Sequence, residues 1–363
     1  MSFQPIKGRG AQHHTINKFL EHHHEVCDDF LEFCLKEGET AQKSKTTFIE
    51  TFPKTIVNKV NSPDIGMGYS LNPYQGCEHG CVYCYARNSH EYWGYNSGLD
   101  FEQKVLVKRN APELLEAHFL KKSWQAETIV LSGNTDCYQP VEKKLQITKA
   151  LLELFLKYKH PVAIITKNGL IKRDLETLKA LAQDNLIHVS LSITTLNENI
   201  RRVLEPRTST IAQRLKTIEL LSENGIPVNI MMAPIIPAIN SHEILPMAEQ
   251  VSKRGASSMA YTIVRLNGSI GEVFTKWIKS ALPDRADKVL HQIASCHGGN
   301  LNDSKYGRRM KGDGNIAIQI QQQFSIAKRK YFKDKERKPL NKSLFETERA
   351  KLAHSKNGQL RLF

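Results

Sequence analysis

Long hydrophobic runs are missing from this chain. No stretch approaches the roughly 18 to 20 consecutive apolar residues of a membrane span, and residues 1–10 lack the apolar segment of a secretory leader. A cytoplasmic protein with no membrane partner is therefore expected. Negative charge is also short: 37 Asp and Glu stand against 51 Lys and Arg, a formal net charge of +14. That balance favours polyanionic partners such as nucleic acid, or anionic cofactors. No internal repeat is visible, which excludes solenoid architectures. Cysteine is sparse, seven in 363 residues, and three of the seven crowd into one loop. A disulfide framework would distribute them; crowded thiols in a reducing compartment bind metal.

What the chain does hold is the composition of a globular protein, 40% hydrophobic and 24% charged. Its length accommodates one large barrel-type domain with appendages, or two ordinary domains. One run stands out: Leu71-Asn72-Pro73-Tyr74-Gln75-Gly76-Cys77-Glu78-His79-Gly80-Cys81-Val82-Tyr83-Cys84-Tyr85-Ala86-Arg87. Its C-x3-C-x2-C spacing lets three thiolates converge on one metal centre if the backbone curls around it. Gly76 and Gly80 tolerate the positive φ that such a wrap demands. Three sulfurs are one fewer than a closed tetrahedral zinc site or a fully cysteine-ligated 4Fe-4S cluster takes.

Residues 1–60 read as an N-terminal extension, with a basic arm, Lys7-Gly8-Arg9-Gly10, and helical apolar spacing from Ile16 to Cys34. His22-His23-His24 would point to different sides of a helix and suit a solvated face better than a metal site. Cys27 and Cys34 suit small packing groups. From about residue 65, strands and helices alternate. Strands are expected at 65–71, 127–132, 161–166, 187–193, 227–236 and 259–266, with helices at 141–158, 173–183 and 242–253 and helical segments up to 224. Short apolar runs separated by amphipathic helices mean parallel strands with right-handed crossovers. Six such units are fewer than the eight of a closed TIM barrel. The expected fold is therefore α/β, an open, partial (β/α)6 barrel over residues 61–285, with the cysteine loop at its C-terminal mouth. Residues 286–332 are expected as a C-terminal appendage, in which Ile316-Ala317-Ile318-Gln319-Ile320 alternates like a strand. Residues 333–363 are expected as a mobile basic tail.

Polar residues recur at the strand ends, where active sites of parallel barrels gather. The second strand runs into Ser132-Gly133-Asn134-Thr135-Asp136-Cys137-Tyr138-Gln139-Pro140 and the third into Thr166-Lys167-Asn168. The fourth ends in Ser192-Ile193-Thr194-Thr195, followed by Leu204-Glu205-Pro206-Arg207, and the fifth in Ala233-Pro234-Ile235-Ile236-Pro237. Singly, each is an ordinary cap or turn; their recurrence beside the cysteine loop points to a site. Together these motifs resemble the radical S-adenosylmethionine (SAM) superfamily, in the branch related to spore photoproduct lyase and its bacterial members of undefined substrate. The Gly8-Arg9-Gly10-Ala11 arm and the run Gly98 to Glu102 are similar to that branch as well, and the resemblance spans residues 7–330.

The resemblance implies that Cys77, Cys81 and Cys84 hold a 4Fe-4S cluster whose fourth iron takes SAM. It places Tyr83 against the adenine, Thr135 and Asp136 at the methionine group, and Lys167 and Ser192 in contact with SAM, with Glu205 and Arg207 as further SAM contacts. The chemistry agrees: a carboxylate wants a cation such as Lys167, and an ammonium wants an acceptor such as Asp136. It further implies an external one-electron reductant of the flavodoxin or ferredoxin type. SAM is then cleaved to a 5′-deoxyadenosyl radical that takes hydrogen from a substrate. DNA, RNA and protein are all open as that substrate, and the net charge suggests nucleic acid.

One departure matters. Where the lyase carries a hydrogen-donor cysteine this chain has Gly133, and Cys137 follows Asp136 instead, as a displaced catalytic donor or as a small buried residue. Two rival readings avoid catalysis. One is a zinc- or cluster-stabilised nucleic-acid-binding module, with His79 as the fourth ligand where the metal is zinc. The other is an iron-sulfur electron-transfer protein with Cys137 or Cys296 completing the site.

Overall fold

The computed structural model describes residues 6–20, 45–335 and 338–358, with side chains as far as residue 353. His22 to His24, Cys27 and Cys34 lie outside the described residues. Ile16–Leu20, where the N-terminal helix was expected to begin, is irregular instead. There Asn17 Nδ2 donates to the carbonyls of Glu91 and Tyr95, each at 3.0 Å.

Ten strands form among the described residues: β1 (Thr47–Thr51), β2 (Val57–Lys59), β3 (Tyr69–Leu71), β4 (Tyr74–Gln75), β5 (Lys104–Lys108), β6 (Ile129–Leu131), β7 (Val162–Thr166), β8 (Ile187–Ser192), β9 (Val228–Ile235) and β10 (Ser258–Ile263). Seven make one sheet in the order β10-β9-β8-β7-β6-β3-β2. β3, β6, β7, β8, β9 and β10 pair in parallel, and β2 joins β3 antiparallel at one edge. The six parallel strands are those expected from the apolar runs. β10 and β2 are free edges, so the barrel is partial. Parallel neighbours need crossovers, which helices Ile147–Lys157, Leu175–Gln183, Ile211–Glu223 and Ile244–Lys253 supply between successive strands. Their buried faces, with Leu151, Leu178, Ile218 and Met247, meet Ile164, Val189 and Ile230 of the sheet in one core. No helix among the described residues is long and apolar enough to cross a membrane.

A second sheet, β1-β5-β4, is not legible in the sequence. β1 lies parallel to β5 and β4 antiparallel to it. Because β3 belongs to the large sheet and β4 to the small one, the cysteine loop springs from their junction.

Three local expectations are corrected. The helix expected over 141–158 breaks at Gln146, whose φ is 53°, into Glu142–Leu145 and Ile147–Lys157. The break leaves Glu142 buried, accepting from Tyr74, from Thr148 N at 3.1 Å and from Arg173 Nη2 at 2.8 Å. Residues 316–320 belong to helix Gly314–Tyr331, not to a strand. Ala317, Ile320, Phe324 and Ala327 are buried at helical spacing, and that longer period outweighs a short alternation. The stretch expected as a mobile tail is partly docked. Helix Leu344–Gly358 carries fully buried Phe345, whose ring centroid lies 5.5 Å from that of Phe119 and 4.9 Å from that of His160. Arg349 Nη1 donates to the carbonyls of Lys121 and Trp124 at 2.9 and 3.1 Å, beyond the end of helix Ala111–Phe119.

Candidate active site

The cysteine loop wraps as its glycines allow, with φ of 84° at Gly76 and 67° at Gly80. Its backbone is braced from three directions. On one side the N-terminal arm inserts: Gly10 N and Ala11 N donate to the Glu102 carboxylate at 3.0 and 2.7 Å, and Arg9 Nη1 donates to Glu102 O at 2.6 Å. Fully buried Arg87 links this carboxylate to the loop, 2.5 Å from Glu102 Oε1 and donating from Nε to Cys81 O at 2.9 Å. From the end of β6, Gln139 accepts from Glu78 N at 3.0 Å and donates to Gly76 O at 3.1 Å, while Thr135 Oγ1 donates to Tyr74 O at 2.6 Å. From the segment after β8, Leu204 O accepts from Val82 N and Arg207 N donates to His79 O, both at 3.2 Å.

Held this way, Cys77, Cys81 and Cys84 are free thiols lining one cavity of about 330 Å³. Tyr83, Thr135, Asp136, Lys167 and Ser192 line it too, at the C-terminal ends of the parallel strands. An apolar wall, with Met67, Ile165, Met231, Pro234 and Val264, faces them. Burial raises the pKa of all three thiols, and Cys77 is raised further by Asp136, Cys81 and Cys84, so the sulfurs share one neighbourhood. Iron would reverse those shifts, because a ligating thiol is deprotonated. Among the described residues, no three His, Cys, Asp or Glu side chains surround a single ion position. Three thiols lining one cavity suit a cluster that gives each thiolate its own iron and leaves one iron for another ligand. His79 is occupied as well: Nδ1 lies 3.4 Å from Asp136 Oδ2 and Nε2 lies 3.4 Å from Asn168 Nδ2. Burial pushes its pKa down to about 4, so it is neutral at ordinary pH.

The polar residues divide by what they touch. Asp136 is nearly saturated, accepting from Thr166 Oγ1 and Tyr138 N at 2.8 Å and from Lys167 N at 2.7 Å. It positions Lys167 as much as it faces the cavity. Lys167 Nζ stands 3.7 Å from Glu205 Oε1 and 5.7 Å from the centre of the Tyr83 ring. Glu205 is fully buried behind the cavity, taking hydrogen bonds from Tyr83, from Thr194 Oγ1 at 2.6 Å and from Arg214 Nη2 at 2.7 Å. Burial alone would raise its pKa, but Arg214 and Lys167, with the hydroxyls of Thr194 and Tyr83, hold it below the usual carboxylate range.

Two expected site residues stand apart from the cavity. Arg207 pairs with Glu78 Oε1 at 3.2 Å in a separate groove with Lys7, Arg9 and Lys45. Cys137 is fully buried in the main core, its N–H donating to Ser132 Oγ at 2.7 Å and its carbonyl accepting from Thr148 Oγ1 at 2.6 Å. Cys296 is likewise in the core, and neither cysteine lines the cavity with the other three thiols.

Arg265 is a cavity residue that the motifs missed. It lines the mouth without an ion pair or hydrogen bond among the described residues, because nearby Asp64 is held by Arg309 at 2.5 Å and Asp303 by Arg308. Its position two residues past β10 was the available signal.

Residues 71–251 match the radical SAM superfamily. An uncharacterized protein of Mycobacterium tuberculosis is 32% identical over 66% of this chain and 71% of its own length. An uncharacterized protein of Methanocaldococcus jannaschii is 31% identical over 69% of this chain and 90% of its own length. Spore photoproduct lyase complexed with a dinucleoside spore photoproduct superposes with a TM-score of 0.57 at 14% identity, over 80% of this chain and 81% of that one, a likeness of fold. The chain thus belongs to the radical SAM superfamily, and it is an enzyme that uses a 4Fe-4S cluster and S-adenosylmethionine.

Proposed function

We propose that Cys77, Cys81 and Cys84 hold the cluster and that SAM occupies the adjoining cavity, with residues 61–285 as the catalytic core. The observation that carries this reading is the gathering of three thiols, Lys167, Ser192 and Tyr83 on one cavity at the strand ends. Lys167 offers the positive charge for the methionine carboxylate, and Tyr83 with Ile165 and Met231 offers a wall for the adenine. Thr135 and Asp136 act one step back, on the Tyr74 carbonyl and on the Lys167 backbone. Glu205 fixes the Tyr83 hydroxyl and stands beside the Lys167 ammonium from behind. The bound cofactors supply a 5′-deoxyadenosyl radical for hydrogen abstraction, and the apolar wall keeps water from the space in which it forms.

The substrate enters past Arg265. A cation with no ion pair among the described residues favours a substrate with an anionic group, and a nucleic acid phosphate meets that requirement. Tyr85, half exposed beside it, offers a ring for stacking.

Anaerobic reconstitution followed by a strong chemical reductant tests the first reading. Bound iron with labile sulfide, and 5′-deoxyadenosine from SAM, are expected. A colourless protein carrying one zinc and releasing no 5′-deoxyadenosine would overturn it. For the second reading, Arg265→Ala is expected to weaken oligonucleotide binding and reduce its salt dependence; unchanged binding would remove nucleic acid from this mouth.

A further inference from the structure

Three consecutive residues of the cysteine loop serve two surfaces. Cys77 and His79 line the cavity, while Glu78 between them lines a separate groove. That groove is bounded by Lys7, Arg9, Lys45, Thr46 and Arg207, so among the described residues four cations meet one carboxylate. None of these groove residues lines the cavity. We propose that the groove is the docking site of an acidic one-electron carrier protein that reduces the cluster; this rests on the cluster assignment made above.

The fold holds the groove positive. Arg9 and Arg207 converge on Thr46 Oγ1, at 3.0 and 3.5 Å. Arg9 is fixed there through Glu102 O at 2.6 Å, and Arg207 through Glu78 Oε1 at 3.2 Å. Like charges brought together are costly, and an anionic partner relieves that repulsion. Phe48, 45% exposed on the same rim, adds an apolar contact. Small, charged surfaces of this kind suit transient redox encounters, where charge complementarity sets the association rate.

Position chooses the carrier over a nucleic acid. The substrate's reacting carbon has to enter the cavity, and a polymer lying in the groove does not present one there. A carrier in the groove, by contrast, lies one residue from a cluster ligand and leaves the cavity to SAM and substrate. The transfer balances simply: the carrier is oxidised by one electron, the cluster is reduced by one, and no atom or proton crosses.

The test uses the reconstituted full chain and the double variant Lys7→Glu with Lys45→Glu, both exposed positions outside the cavity. Titration calorimetry with an acidic flavodoxin, and separately an acidic ferredoxin, measures docking at low and high salt. Production of 5′-deoxyadenosine is followed with each carrier and with dithionite. Wild-type binding to at least one carrier is expected, weakened about tenfold or more by the double variant and by salt. Carrier-driven turnover should fall in step while dithionite-driven turnover holds. Equal carrier binding and turnover in the variant would overturn the proposal. So would a variant that loses affinity for a DNA duplex while keeping that for the carriers, which would make the groove a nucleic-acid surface. Failure of wild type to cleave SAM with dithionite would count against the cluster reading instead, and the calorimetry would still report on the groove.

Discussion

Arg214 Nη2 lies 2.7 Å from Glu205 Oε2, and neither side chain reaches solvent. The pair stands directly behind Tyr83 and Lys167, so a buried charge couple sets the posture of two cavity residues. Glu205→Gln leaves the Arg214 guanidinium uncompensated in the interior, and a loss of about 3–5 kcal/mol is expected in denaturant unfolding. Lys167→Ala should cost only about 1 kcal/mol of stability while weakening SAM binding, measured by calorimetry on the reconstituted protein. Unchanged stability in Glu205→Gln, with a loss of SAM affinity alone, would show that Glu205 touches SAM instead of supporting its neighbours.

The three cysteines of the loop should behave as a unit. Replacing Cys77, Cys81 or Cys84 with Ala removes a thiolate ligand, and SAM cleavage is expected to vanish with most of the bound iron. Iron and sulfide analysis beside 5′-deoxyadenosine production checks this. Full activity in Cys81→Ala would be fatal to the assignment.

Cys137 predicts the opposite pattern. Its burial in the main core means that Cys137→Ala opens a small void costing about 1–2 kcal/mol. SAM cleavage should stay at the wild-type rate, and no product should depend on the thiol. A changed product with unchanged stability would restore Cys137 as a hydrogen donor.

A β-carbon on Gly10 would sit 1.7 Å from Gly80 O, backbone against backbone. Gly10→Ala therefore cannot seat the N-terminal arm on the cysteine loop. A loss of about 1–3 kcal/mol is expected, with faster proteolysis within residues 6–15. Protease resistance equal to wild type would mean that the arm is not held by this contact.

Acid should destabilise the protein before its carboxylates titrate. Trp124 Nε1 donates to His160 Nε2 at 3.1 Å, and burial pushes the His160 pKa down to about 3. Unfolded histidine titrates near pH ~6.5. Between those values the unfolded chain binds the extra proton, so the contribution of neutral His160 is complete above the unfolded pKa and is lost as pH falls toward the folded one. His79 and His90, both pushed down to about 4 by burial, act in the same direction. The urea midpoint should drop steadily from pH 7 to pH 4. His160→Gln, which keeps an acceptor for the indole, should flatten that slope; an unaltered slope would exclude His160 as a source.

How much of this was legible follows from the range of the forces involved. Apolar runs of strand length between amphipathic helices are local signals, and the six parallel strands lie where those runs lie. The helix over Gly314–Tyr331 was misread because five alternating residues were weighed without the longer period around them. The docked C-terminal helix was missed because its anchor, Phe345, is one aromatic among charges, and its partners Phe119 and His160 are remote in sequence.

The α/β alternation, the three-thiol loop and the superfamily can be read from neighbouring residues alone, because backbone periodicity and the spacing of thiols along a tight turn are short-range properties. Which polar strand-end residues face the cavity depends instead on contacts between segments remote in sequence. Thr135, Asp136, Lys167 and Ser192 line it, Thr135 and Gln139 also brace the loop backbone, Glu205 supports from behind, and Arg207 and Cys137 lie elsewhere. Loops have no period from which a side chain's direction can be read. That direction is set by whichever donor or acceptor arrives from another strand end.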